Sequence, residues 1–480
     1  LRFQVYKEGK LTDTFNLDGA YVFDSEGAAL RVSESLDFSD SVISFDMLTY
    51  EAGGLAVMWE VEGLGKMQLC TTKLRKRSEP YILNLELARA RLMQIMLKRE
   101  DWQLFDENDN HTNKAIQSAE KLFVSALSHI NQPEKASVYA DKCLKKAVLA
   151  SENLAQRHAE TNLNTKAGSG KFNEMSFGCT LQPKFAASES YRRKILDLFN
   201  YAVIPVSWGE IEKKKGEYDF SSIDNCLAAF GPEKIRLSAG PLLKFERGIY
   251  PEWLGGYEYD GIKELAYNFI TKIVKKYAGK IDTWQLVGSM NSSNDLGFSF
   301  DECIEICRAA CLAARAANSK TTKIITLDKP WGWYHSRNAC TIPTVQFAET
   351  LMQNAITFDK IGIELDLSGK TPDAATKDLM QISAMIDQLT VSSRPICVTS
   401  IKVPSKPIEG SGYWREPWSE NTQAAFLRAL YKILLAKEQM ASVTYDSFVD
   451  IEEPVGIVTS GGEPKKAMKT LRNFRKLLCG

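Results

Sequence analysis

Histidine is almost missing from this chain, with four in 480 residues: His111, His129, His158 and His335. A serine hydroxyl attacks as a nucleophile only when a base beside it takes its proton, so a chain this poor in imidazole is a poor place to look for a hydroxyl-based triad. Net charge is missing as well, since Lys plus Arg and Asp plus Glu both total 60. A balanced chain has no field with which to gather a polyanion, and nucleic acid is not an expected partner. No stretch approaches the roughly 18 uninterrupted apolar residues that cross a bilayer, so no membrane span is expected. The ten cysteines lack the short paired spacings of disulfide frameworks and suit buried thiols in a reducing compartment. The chain begins at Leu1 rather than Met, which leaves open an upstream signal segment and, with it, the localisation.

What is present is ample core material, 44% hydrophobic residues against 25% charged, in a chain longer than one ordinary compact domain. Three regions are expected. Residues 1–79 alternate short apolar runs with Gly, Asp and Ser breaks, as in AYVFD, SVISFDML and GLAVMWEVEG, the pattern of a small antiparallel sheet or sandwich. Over 80–168 the period becomes helical. Leu83, Leu87, Ala90, Met93 and Leu97 recur on one side after Pro80, and further helices are expected over about 113–130 and 133–164, with NQP as the breaker between them. The segment KAGSGKFN, small, polar and glycine-bearing, is the candidate linker. Over 169–480 short β-rich runs alternate with amphipathic helical stretches: FGCTLQ, YAVIPVSW, KIRLSAGPLL, TWQLVGSM, KIITLDKPW, KIGIELDLSG, PICVTSIKV and SVTYDSFVD. Eight such runs predict a parallel (β/α)8 TIM barrel whose site lies where the strands end.

Within that barrel, SWGEIEKKKGEYDFSSID, PEWL, FDKIGIELDLSG and GIVTSGGEPKKAMKTL occur in the order and spacing seen in glycoside hydrolase family 10, the retaining xylanases, which the barrel resembles over most of its length. The stretches PYILNLELARARLM and KREDWQLFD likewise resemble an accessory region ahead of poorly characterised bacterial xylanase-like barrels. The resemblance implies two glutamates, because a retaining glycosidase cleaves through a covalent intermediate with two carboxyls roughly 5 Å apart. The family places its acid/base at the end of a W-D-x-V-N-E pattern on strand four. Here WQLVGS sets Gly288 at the Asn and Ser289 at the Glu. Its nucleophile ends an I-T-E pattern on strand seven, and VTSIKV sets Ser400 there, with Lys402 at a following Asp. The sugar-binding Asn and Lys of the family become Ile204 and Ser207, both histidines of its strand-three segment are absent from AGPLLKF, and the Gln and His of strand six become Glu364 and Asp366. On this reading the retaining machinery has been lost. Neither Ser289 nor Ser400 has an evident histidine partner, His335 being the one histidine on the expected site face.

Other groups remain to carry a function. Glu364 and Asp366 lie two apart on a strand and point to one side, and with Asp328 and Asp446 they could form a new acidic cluster. Alternatively they pair with Lys244, Lys329, Arg337 or Lys402 as a salt-bridge network that fills the vacated site. The cluster lacks EF-hand spacing, and neither a metal nor any other cofactor is expected. Trp208, Trp253, Trp331, Trp333, Tyr334, Tyr413, Trp414 and Trp418 crowd the expected rim; flat aromatic faces suit sugar rings, and Trp331, Trp333 and Trp414 are the expected ligand contacts beside Asp328 and Lys402. Trp208 and Trp253 read as loop packing. Cys303, Cys307 and Cys311 fall on one helix face and read as core rather than metal ligands. The expected protein is therefore a barrel that binds a carbohydrate or a protein partner without cleaving it. The first alternative is a divergent glycosidase using Glu364, Asp366 or Asp446; the second is a structural subunit that assembles, with itself or a partner, through the charged helical region.

Overall fold

A computed structural model describes residues 1–24, 27–31, 36–46, 52–102, 110–168, 175–338, 340–410 and 412–479. The N-terminal strands form two main sheets. One contains Gly65–Cys70, Gly54–Val61, Tyr21–Phe23 and Ala29–Leu30; the other contains Tyr81–Ile82, Arg2–Gln4, Val42–Ser44 and Asp37–Ser39. Gly54–Val61 is buried along nearly its whole length, because one face meets the N-terminal core and the other is also covered. Helices α1 (Leu83–Asp101), α2 (Asn110–Ser128) and α3 (Pro133–Gly168) follow and pack on one another. Pro80 precedes a short strand rather than starting the first helix, since Tyr81 and Ile82 pair with Phe3 and Gln4 before α1 begins. The first part of the candidate linker is the end of α3, and its residues 169–173 lie outside the described residues.

The eight expected strands close into a parallel barrel: β1 (Ser176–Thr180), β2 (Tyr201–Ile204), β3 (Arg236–Ala239), β4 (Thr283–Gly288), β5 (Thr322–Leu327), β6 (Lys360–Asp366), β7 (Ile396–Lys402) and β8 (Met440–Tyr445). Helices cover the outside and side chains fill the inside, so the strands are apolar on both faces; Ile325, Ile361, Ile363 and Val398 are wholly buried. Local signals start the helices where the pattern demands them. Ser299 and Glu302 form a capping box ahead of Phe300–Ala317, and Asp378 and Gln381 form another ahead of Leu379–Gln388. Cys303, Cys307 and Cys311 lie buried on the first of these helices, and burial raises each thiol above its ordinary range.

The N-terminal region packs directly on the loops that follow β5, β6 and β7. Gln68 donates its backbone N–H to Thr376 at 2.9 Å. The two-residue strand Tyr413–Trp414, from the loop after β7, pairs with Lys66 and Gly65 and completes the edge of the N-terminal sheet. Arg91 on α1 reaches Asp378 in a buried bidentate pair, 2.9 and 2.5 Å, and Asp378 accepts from the N–H groups of Met380 and Gln381 as well. Removing one partner of such a pair strands a charge in the interior, at a cost of about 3–5 kcal/mol. Arg91→Ala should lower the unfolding free energy by about that amount, read from the urea midpoint; a loss below about 1 kcal/mol would show that Asp378 is satisfied by its helix cap alone.

Candidate functional site

Parallel register lines up one polar layer at the mouth. Leu327 pairs with Ile363 across β5 and β6, so Asp328 and Glu364 follow side by side. A bulge in β7 then sets Ser400 opposite Glu364 and Lys402 opposite Asp366. Asp446 follows β8 and accepts from Ser400 Oγ at 3.0 Å and from Ser447 Oγ at 2.8 Å. On the other side, Lys244 follows β3 and pairs with Glu246 at 2.9 Å. Thus Asp328, Glu364, Asp446, Ser289, Ser400, Lys244 and Lys402 all stand at strand ends.

The segment after β4 turns sharply into the molecule. Ser289 adopts φ of +58° and Lys329, after β5, φ of +46°, the left-handed region that costs a non-glycine residue about 1 kcal/mol or more. Met290, Asn291 and Ser292 are buried. Asn291 ties the turn to β5, donating to the Asp328 carbonyl at 2.9 Å and accepting from its N–H at 3.2 Å. Ser292 Oγ donates to the Asp328 carboxylate. Ser289 is fully buried with its hydroxyl facing the same carboxylate, whose rise it opposes. Gly288 has its own reason. A Cβ there would stand 2.8 Å from Cβ and Cγ of Pro241, whose ring occupies the room a side chain would need.

Electrostatics single out Glu364. Burial is the main cause that raises its carboxyl to about 7; Asp328 and Asp446 push in the same direction, while Lys244 and Lys402 oppose them. It retains some solvent contact at the strand ends. Among the described residues it has no hydrogen-bond or ion-pair partner. Burial raises Asp328 as well, against Lys329, Ser292 and Lys244. Burial would lower Lys244 and Lys402, but the carboxyls around them prevail and hold both above the usual lysine value. Lys402 lies 3.9 Å from Asp366.

The tryptophans are placed differently. Trp414 is buried and donates to Glu152 Oε1 at 2.7 Å, within the sheet edge it completes, so its ring is closed to a ligand. Trp333 packs against Tyr21, Phe23, Ala29 and Ala56 of the N-terminal sheet. Trp331 lies beneath Lys377, whose Nζ is 4.7 Å from the ring centroid. Trp418 is buried and donates to the Gly412 carbonyl, while Trp208 and Trp253 both donate to Glu212. Tyr334 is buried with its hydroxyl on the Ile342 carbonyl at 2.6 Å. Tyr413 donates to Glu60 at 3.0 Å. Arg337 lies 5.9 Å from the Trp333 ring. Sequence reasoning overlooked Glu246, Ser292, Asp373 and Lys377. Burial raises Asp373 to about 6 and lowers Lys377 to about 7; their place in a polar loop after β6 was the available signal.

A closed parallel barrel with ionisable groups gathered at its strand ends belongs to the (β/α)8 class, in which sites form at that face. This chain belongs to glycosyl hydrolase family 10, whose model matches residues 165–452. Among solved structures it is similar to xylanase 10B from Thermotoga petrophila RKU-1 in complex with xylobiose (14% identity, TM-score 0.50, 64% of this chain and 94% of that one). It is also similar to native xylanase 10B from Thermotoga maritima (13%, TM-score 0.51, 64% and 96%) and to GH10 from Paenibacillus barcinonensis (15%, TM-score 0.50, 65% and 97%). At these identities the likeness speaks for the fold. No curated protein sequence matches it.

Two outcomes follow from this geometry. Gly288→Ala should overpack against Pro241 and lower stability by about 1–3 kcal/mol in urea unfolding at unchanged slope. Glu364 keeps its proton in the folded protein to about pH 7, well above its ordinary value of 4.5, so the folded state binds more protons across that window. Stability should therefore fall as pH rises from 4.5 through 7 and level off above it. Glu364→Gln should match the wild-type Tm near pH 4.5 and exceed it at pH 8; equal values at both would show that the carboxyl ionises normally.

Proposed function

We propose that this family 10 barrel no longer carries the retaining pair and that its mouth binds a carbohydrate without cleaving it. The observation that supports this most is the chemistry of the strand ends. Double displacement needs a carboxylate nucleophile and a carboxyl acid/base, whereas β4 ends at Gly288 before Ser289 and β7 carries Ser400. Ser400 spends its proton on Asp446. No imidazole takes over as base for either hydroxyl, since His335 sits in the short helix Trp333–Arg337 after β5 with Nδ1 on Thr341 Oγ1 at 3.1 Å. What the mouth offers instead are hydroxyls, carboxyls and lysine ammoniums, the groups that hydrogen-bond sugar hydroxyls. A family 10 relative holds xylobiose, which makes a glycan the first ligand to test.

A divergent glycosidase is the second reading, and Glu364 is the observation that favours it. A carboxyl that titrates near neutrality and lacks a hydrogen-bond partner is suited to a general acid, with Asp446, Asp366 or Asp328 as the counterpart. The deciding experiment screens the purified protein against xylan, other plant and bacterial polysaccharides and aryl glycosides, for both hydrolysis and binding, beside Glu364→Gln and Asp366→Asn. Binding without turnover is the expected outcome. Turnover lost in either variant would replace the binding reading with relocated catalysis.

A further inference from the structure

The helical region meets the outside of the barrel through a cluster of charges built around two stacked rings. Trp102, at the end of α1, and His158 on α3 lie face to face, with ring centroids 4.2 Å apart and an interplanar angle of 5°. Lys98 of α1 and Lys437, just after the helix Glu420–Ala436, both stand near the Trp102 ring, at 5.8 and 6.0 Å from its centroid. The two ammoniums share one carboxylate. Asp387, on the barrel helix Leu379–Gln388, receives Lys98 at 3.0 Å and Lys437 at 2.5 Å. Lys98 also lies 3.4 Å from Asp101, which is exposed to water. Lys437 donates to Ser383 Oγ at 2.8 Å as well, and Lys166, about two turns beyond His158 on α3, donates to the carbonyls of Leu435 and Lys437.

His158 completes this cluster only as a neutral ring. The Asn162 amide donates to its Nε2 at 3.2 Å, a bond that a protonated Nε2 cannot accept. A charged imidazole, half-buried between Trp102 and the two lysines, would be a third cation facing the single carboxylate of Asp387. A cation over an indole face is ordinarily favoured, but two ammoniums already stand beside that ring. The charges that bear on His158 are Lys437 after Glu420–Ala436, Asp387 from Leu379–Gln388 and Lys98 from α1. Burial and the two lysines outweigh Asp387 and hold the ring neutral down to about pH 4.

We propose that His158 is an acid-sensitive latch between the helical region and the barrel: its protonation places an unpaired cation in the contact and releases α3 from the helices Leu379–Gln388 and Glu420–Ala436. A freely solvated imidazole takes up its proton near pH 6.5, so between 6.5 and about 4 the released state binds a proton that the docked state refuses. Docking is therefore strongest above 6.5, weakens as pH falls towards 4 and levels off below it. The effect reaches the loop after β7, because Glu152, about 9 Å back along α3, accepts from the Trp414 indole and from Arg415 of that loop.

The test reads the intact chain in two ways. With four histidines in the sequence, the His158 imidazole resonance is assigned by its loss in His158→Gln, and its titration gives the midpoint directly. Hydrogen exchange of α3, compared between wild type and His158→Gln at pH 7 and again at pH 4.5, reads the opening of the contact. The expected result is a midpoint near 4, equal exchange at pH 7, and α3 around position 158 exchanging about tenfold faster in the wild type than in the variant at pH 4.5, with the barrel strands alike in both. A midpoint near 6.5 would show that the ring carries its charge in place and would overturn the proposal. A midpoint near 4 with equal exchange of the two proteins at pH 4.5 would overturn it too, leaving His158 as a packed ring and nothing more. Should His158→Gln loosen α3 already at pH 7, Lys437→Met decides instead: with one facing cation gone, the His158 midpoint should rise by about one unit, and an unmoved midpoint would overturn the proposal.

Discussion

The ion pair between Arg91 and Asp378 is the constraint on which the two halves of the molecule depend. Both side chains are buried, so the pair repays its desolvation only because its geometry is bidentate and Asp378 is also held by backbone N–H groups of the helix it caps. That geometry fixes α1 against the segment after β6, and the same segment carries Asp373 and Lys377 beside Trp331. A second polar contact works in parallel: Glu152 of α3, wholly enclosed, receives the Trp414 indole at 2.7 Å and Arg415 at 3.3 Å. Burial raises the Glu152 carboxyl, and these two donors counter that pull. The barrel loops nearest the N-terminal region are therefore shaped by residues far away in the chain.

At the mouth, charge and volume are arranged together. Pro241 fills the space over Gly288, Asn291 and Ser292 fold inward to grip the end of β5, and the carboxyls stand on β6 and just past β5 and β8. Filling by backbone and small polar side chains produces tight, strained turns at Ser289 and Lys329. It also leaves Glu364 in a medium that penalises its charge. Proteins accept such destabilised groups where a ligand or a proton will use them, which is why Glu364 dominates the functional reading.

The barrel was legible because its signals are local. Most strands are short runs carrying Val, Ile or Thr, as in KIITL, and each is followed by a helix whose apolar face recurs at 3.6 residues. The alternation of side chains along a strand likewise put Glu364 and Asp366 on one side. What it did not reveal was the β7 bulge that sets Lys402 beside Asp366, since a bulge depends on the pairing of two strands rather than on either alone. Trp414 read as a rim aromatic because nothing near it in sequence announces Gly65 or Glu152 as neighbours. Nothing local marks Arg91, because its partner lies 287 residues further on. The missed residues share that cause: their surroundings are made by non-local contacts.

The short strand Tyr413–Trp414 seals an edge of a sheet built from the first residues of the chain. During synthesis that edge, along Gly65–Cys70, emerges long before the residues that cover it, and nearly the whole barrel must leave the ribosome first. An uncovered edge is a template for pairing with another chain. The N-terminal region therefore cannot reach its final form as an early, independent folding unit, because the last hydrogen bonds of that edge wait for the barrel.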